Sequence, residues 1–152
     1  MAKVEVREAE LADRPEWQRM WSANCAHFGA SLSAADNDEL WRRLMDPQHP
    51  TSALVCCAPD TGNPLLGFAH YVLHPHTFSD RMVCCLEDLW VEPQARGVGA
   101  GRRLIDALVA RGRDRGWRRL YWHTDAGNTA ARALYDRIVQ VTDYVRYDVV
   151  LP

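Results

Sequence analysis

The sequence predicts a mixed α/β (α+β) domain, a mainly antiparallel sheet flanked by helices, with elements in the order β-α-α-β-β-β-α-β-α-β. Two amphipathic helical patterns come early, before any strand-rich region. Three apolar runs then follow with short, turn-rich connections, as in an antiparallel meander. Finally, a strand passes through a run holding three glycines into a basic helix. At 152 residues and 47% hydrophobic, the chain can bury one core, so residues 1–152 read as a single domain.

Each element has its own signal. KVEV near the start alternates as a strand does. Asp13 and Pro15 then open a helix carrying Trp17, Met20, Trp21, Asn24, Cys25 and Phe28 at helical spacing. A second helix starts near Asp36, with Glu39 three residues on, and carries Leu40, Trp41, Leu44 and Met45 to a stop at Pro47. TSALVCC, LLGFAHYVLH and RMVCCLEDLWV are the three meander strands, joined by the turn PDTGNP and the loop PHTFSD. From Gly101 to Arg115, Leu104, Ile105, Leu108 and Val109 make one helical stripe, and Gly116 supplies the stop. RRLYWHT is a strand with Leu120, Trp122 and Thr124 on one face and Arg119, Tyr121 and His123 on the other. NTAARALYDRIV is a helix entered at Asn128, and YVRYDVVL reads as a closing strand with Val145, Tyr147, Val149 and Leu151 on one face.

Composition narrows the function classes. With 18 basic and 20 acidic residues the net charge is -2, so no global positive field points to nucleic acid or an anionic membrane. Arginines nonetheless crowd the segment from Arg96 to Arg119, which favours a local anion site. The opening MAKVEVREAELADRPEW holds no apolar signal core, and no apolar run approaches the ~18 residues of a membrane span. The expectation is a soluble, cytoplasmic protein. The five cysteines lie without metal-knuckle or disulfide spacing and are expected to be reduced core thiols.

The glycine run carries the chemistry. Arg96-Gly97-Val98-Gly99-Ala100-Gly101, at a helix entrance, presents backbone N–H groups with no side chains in front of them. Such a turn suits phosphate oxygens, which the helix dipole also attracts, and Arg102 and Arg103 follow in the first turn. It is not a dinucleotide fingerprint, because the last position of G-x-G-x-x-G counted from Gly97 is Arg102. It is not a P-loop, because no Lys-Ser or Lys-Thr follows the last glycine. A tight turn plus close packing accounts for one or two glycines more readily than for three.

R-G-V-G-A-G followed by Leu104 resembles the R/Q-x-x-G-x-G/A signature of the GNAT superfamily of N-acetyltransferases, and the likeness runs from LEDLWVEP through NTAARALYDR. The resemblance implies acetyl-CoA as cosubstrate, its pyrophosphate held by the backbone amides of Arg96, Gly97, Val98, Gly99, Ala100, Gly101 and Arg102. It implies splayed central strands, with the strand through Leu89, Trp90 and Val91 pairing its backbone with the pantetheine arm. NTAARALY is similar to the family's N-x-x-A-x-x-x-Y segment, which implies that Asn128 contacts the cofactor and that Tyr135 protonates the departing sulfur. Asn128 and Tyr135 are seven apart, so at 100° per residue they fall about 20° from alignment on one helix face. The chain departs from relatives near its end, where Asp143 and Tyr144 stand in place of a Gly-Phe pair.

Proton transfer needs a base. An alkylamine with a pKa of ~10.4 costs roughly 4.6 kcal/mol to deprotonate at pH 7. Glu87 shares a strand face with Leu89 and Val91, whereas Asp88 points away unless a bulge intervenes. LEDLWV resembles the L-E-D-[FL]-x-V of polyamine-type acetyltransferases, which implies Glu87 as base, directly or through water, and a cation contact for one of the two acids. The alternative for Glu87 is an arginine pair across the sheet; for Asn128 and Tyr135 it is a plain helix cap and a core aromatic. His123 is a substrate-contact candidate. His70 and His74 share a face, with His76 beyond, but no third ligand is evident and no metal is expected. Trp17, Trp21 and Trp41 read as packing rather than a substrate cage, and Asp36, Asp38 and Glu39 as solvated cap residues. Cys84 and Cys85 as acyl carriers are a minor reading, with no base in reach by sequence.

The expectation is direct acetyl transfer from acetyl-CoA to a primary amine of a small cationic acceptor: a polyamine, a lysine-like amine or an amino acid. A homodimer is implied at the level of the family, through the final strand. The rival reading is a noncatalytic acyl-CoA-binding sensor or partner domain, against which Glu87 and Tyr135 speak.

Overall fold

The computed structural model describes residues 3–62 and 64–152; Asn63 of the expected PDTGNP turn lies outside them. Strand β1 (Glu5–Glu8) is followed by helices α1 (Arg14–His27) and α2 (Ala34–Met45). Strands β2 (Thr51–Cys57), β3 (Leu65–His76) and β4 (Ser79–Val91), helix α3 (Ala100–Arg115), strand β5 (Arg119–Tyr121) and helix α4 (Thr129–Tyr135) complete the order. One sheet runs β1-β2-β3-β4-β5, antiparallel except for the last pair. A parallel pair needs a crossover, and α3 provides it.

The apolar runs follow from burial on both sheet faces. Leu54 and Cys56 of β2 face α3, joining Ala69, Tyr71, Cys84 and Leu86 against Leu104, Ile105 and Leu108. Ala53, Val55 and Cys57 face the other way, onto Trp17, Met20, Trp21, Trp41 and Leu44 of α1 and α2. A strand covered on both faces reads as continuously hydrophobic. The three tryptophans are core packing, with Trp17 and Trp41 ring centroids 4.7 Å apart. All five cysteines are free and buried.

The helix starts differ in detail from the sequence reading. Asp13 precedes α1, but its carboxylate turns back to accept from the Glu10 N–H (2.8 Å) and from Arg7 (2.7 Å). The cap of α2 is Ser33, whose Oγ accepts from the Asp36 N–H at 3.1 Å, not Asp36 itself. Asp36 bonds to Ser33, Asp38 to Arg14 and Glu39 to Arg42, so these acids already have partners.

One expected element is absent. Residues 140–152 form no strand, and Val145, Tyr147, Val149 and Leu151 are exposed. Their alternation is that of a strand, but a strand needs a neighbour for its backbone, and among the described residues no strand pairs with them. Strand β5 is also shorter than expected, ending at Tyr121.

Candidate active site

Strands β4 and β5 pair only from Val83 to Cys85 against Arg119 to Tyr121. Beyond Leu86, β4 keeps β3 on one side and has no strand on the other, so the sheet opens into a cleft of about 1290 Å³. The splayed strands expected from the sequence are present, and the free edge of β4 along Leu89, Trp90 and Val91 offers backbone groups to a ligand.

The bulge on which the placement of Asp88 depended is also present. His70 pairs with Asp88 and Tyr71 with Leu86, so Glu87 is the extra residue in β4. Glu87 and Asp88 consequently both line the cleft. The two-residue alternation that separates them in a regular strand is broken at this point.

The glycine turn forms the next wall. Gly97 (φ 85°) and Gly99 (φ 83°) lie in the left-handed region that side chains disfavour. Gly101 serves packing: a Cβ there would stand 3.3 Å from Leu134 Cδ2. Local geometry thus accounts for all three glycines, and the same geometry leaves donors free. The first bond into the helix is Arg103 N–H to the Gly99 carbonyl at 3.0 Å, so the N–H groups of Ala100, Gly101 and Arg102 precede the ladder. Gly97, Gly99, Ala100, Gly101 and Arg102 line the cleft, while Val98 projects outward, 45% exposed. Arg96 donates from Nε to the Val91 carbonyl at 3.2 Å and lies over the Trp90 ring at 5.4 Å, which ties the turn to the end of β4.

Helix α4 closes the opposite side. Asn128 caps it, with Oδ1 accepting from the Ala131 N–H and Nδ2 donating to Thr124 Oγ1, both at 3.3 Å. Tyr135 packs edge-on against Trp122 at 5.4 Å, and burial pushes its phenol above the usual tyrosine value. Both residues line the cleft, as does His123. Cleft residues that the sequence reading missed include Asn24, His27 and Phe28 at the end of α1, Tyr121, and Arg146 and Asp148 of the terminal segment. Helical and strand periodicity report which face is apolar, not which residues border a cleft.

The thiols are poor nucleophiles. Burial pushes Cys84 up to about 12, and burial with the Glu87 charge pushes Cys85 up to about 11, so both stay protonated near neutrality. Two of the candidate histidines have side-chain partners: Trp17 and Asp88 hold His70, and His74 Nε2 meets the Tyr121 hydroxyl at 2.9 Å. Among the described residues, no three His, Cys, Asp or Glu side chains cluster as a metal site would. No helix among them is long and apolar enough to cross a membrane.

Known proteins agree with this architecture. The chain is 28% identical over 145 residues to the D-amino-acid N-acetyltransferase HPA3 of Saccharomyces cerevisiae, covering 95% of this chain and 89% of that one. It is 37% identical over 129 residues to the mycothiol acetyltransferase of Salinispora tropica, covering 84% of this chain and 36% of that longer protein. Its fold superimposes on the ribosomal-protein-alanine N-acetyltransferase of Brucella melitensis biovar Abortus 2308 with a TM-score of 0.78, at 21% identity over 98% of this chain and 100% of that one. The acetyltransferase (GNAT) family model matches residues 16–139, from the start of α1 past α4. The chain belongs to that family, whose enzymes use acetyl-CoA as cosubstrate, and is an acetyl-transferring enzyme.

Proposed function

We propose that the chain transfers the acetyl group of acetyl-CoA directly to a primary amine of a small cationic acceptor. The observation that carries this reading is the pair Glu87 and Asp88, set side by side on the cleft wall by the β4 bulge, one strand end away from the glycine turn. The orphan N–H groups at Ala100, Gly101 and Arg102 suit the pyrophosphate, and the unpaired edge of β4 suits the amide groups of the pantetheine arm.

In this reading the amine nitrogen attacks the thioester carbonyl carbon, Glu87 takes the amine proton directly or through water, and the carbon–sulfur bond breaks as the new carbon–nitrogen bond is retained. Tyr135 gives its proton to the departing sulfur. A phenol held above its usual pKa stays protonated through neutral pH and so remains able to donate. Positioning and electrostatics do the rest, with no covalent enzyme intermediate.

The two acids favour a cationic acceptor, and the relative that acetylates D-amino acids supports an amino-acid amine within that class. A net charge of -2 supports a free small molecule over nucleic acid or an anionic membrane surface. The exposed terminal segment supports a homodimer, in which a second copy covers it. The deciding experiment is a thiol-release assay with acetyl-CoA and a panel of amines. Turnover on at least one amine supports the enzyme reading, and tight acetyl-CoA binding without turnover on any amine supports the noncatalytic sensor instead.

A further inference from the structure

We infer that Trp17 and His70 are buried positioning residues that fix the Asp88 carboxylate as the seat of the acceptor ammonium. Three elements meet here: Trp17 comes from α1, His70 from β3 and Asp88 from β4. Trp17 is 0% and His70 2% exposed, while the Asp88 side chain is 32% exposed on the cleft wall.

The chemistry of the donors sets the direction of the chain. An indole N–H can only donate, so the 2.9 Å bond from Trp17 Nε1 makes His70 Nε2 an acceptor. The neutral ring then carries its proton on Nδ1, which faces Asp88 Oδ2 at 3.0 Å and donates to it. One carboxylate oxygen is thereby held from behind, and Oδ1 takes no part in this chain of bonds. The rings of Phe68 at 4.6 Å and Trp21 at 5.0 Å pack tilted around the imidazole, and in such apolar surroundings a satisfied hydrogen bond gains strength while an unpaired one is costly.

A histidine buried among aromatic rings would serve packing better as a leucine or phenylalanine. Its two ring nitrogens, each with a partner, instead transmit the rigidity of α1 to a residue in the cleft. The arrangement sits at the rung where the β4 register slips, so Asp88 is clamped while the adjacent Glu87 stands free of the ladder. The division of labour follows: Asp88 holds the charged amine in place, and Glu87 takes the proton. This inference rests on the amine-acetyltransferase reading of the cleft.

Two measurements test it. Nitrogen-15 NMR of the imidazole in the wild-type protein should show Nδ1 protonated and Nε2 bare; an Nε2–H tautomer overturns the inference. In steady-state kinetics, His70→Ala should raise KM for the amine about tenfold or more, leaving KM for acetyl-CoA within about twofold, with Asp88→Asn behaving alike. His70→Asn, whose amide nitrogen stands in for Nδ1–H, should recover most of the amine KM, and it serves as the folded control if His70→Ala is unstable. A loss of thermal stability in both His70 variants with an unchanged amine KM marks a purely structural histidine and overturns the inference alone. Absence of turnover by the wild type on every amine overturns the amine-acetyltransferase reading and this inference together.

Discussion

Gly101 at the start of α3 and Leu134 in α4 approach so closely that a β-carbon on the glycine would lie 3.3 Å from Leu134 Cδ2, with Val91 Cγ2 at 3.6 Å beside it. The cleft walls therefore approach one another across space that a side chain on Gly101 would fill. Gly101→Val places branched methyls into that contact and should cost about 1–3 kcal/mol by overpacking, read as a lowered thermal midpoint. Gly99→Ala acts differently. Nothing lies within 4 Å of a β-carbon there, but the φ of 83° costs an alanine about 1–2 kcal/mol. Relaxation of the turn should misalign its N–H groups, raising KM for acetyl-CoA about tenfold, while the amine KM stays put.

Tyr135→Phe removes the O–H proposed to return a proton to sulfur while keeping the ring against Trp122. The variant should fold normally and lose on the order of a hundredfold in kcat. Because burial raises the phenol pKa, the wild-type rate should hold through neutral pH and show the Tyr135 limb only above the ordinary tyrosine value of ~10. A kcat in Tyr135→Phe equal to that of the wild type would assign sulfur protonation to solvent.

Arg7 and Asp13 tie β1 to the entry of α1, with the guanidinium donating from two nitrogens at 2.7 and 2.9 Å. The Arg7 hydrogen bond holds the Asp13 carboxyl below its usual value against the opposing effect of burial. A depressed folded-state pKa means stability that is present above the unfolded value of ~3.9 and lost as pH falls through the folded one. Asp13→Asn should therefore destabilise by about 2 kcal/mol at pH 7 in urea melts, and the gap to wild type should close below about pH 4. A gap that stays constant down to pH 3 would show that the carboxylate charge is not what matters at this site.

The sheet, the helices and the glycine turn were legible because each is written in a local period or a local backbone demand. What sequence could not show is how the strands register. Alternation places Asp88 opposite to Glu87, and only the pairing of Tyr71 with Leu86 across the sheet reveals the bulge that brings both to the cleft. His70 was visible as one of two histidines on a strand face. Its meaning comes from Trp17, 53 residues upstream, and no local pattern joins the two. The α2 cap moved to Ser33 for a related reason: Ser33 and Asp36 are both good caps, and the chain path decides between them.

The terminal segment is where pattern and partner separate most clearly. Tyr144, Tyr147, Val149, Val150 and Leu151 are each 79% exposed or more, an apolar load that an isolated chain does not leave in water without consequence. Strand β5, paired with β4 alone, leaves a sheet edge open, and the segment alternates as a strand should. In the proposed homodimer a second copy would supply both what the edge lacks and what the segment needs, and a twofold exchange would satisfy the two copies equally. Light scattering of the full chain should give twice the 17.3 kDa chain mass, and deletion of residues 140–152 should give the single-chain mass. Arg146 and Asp148 also line the cleft, so the deletion should change the amine KM as well as the mass. A full chain that stays monomeric at every concentration would rule out the exchange, and an amine KM untouched by the deletion would separate the segment from the acceptor side of the site.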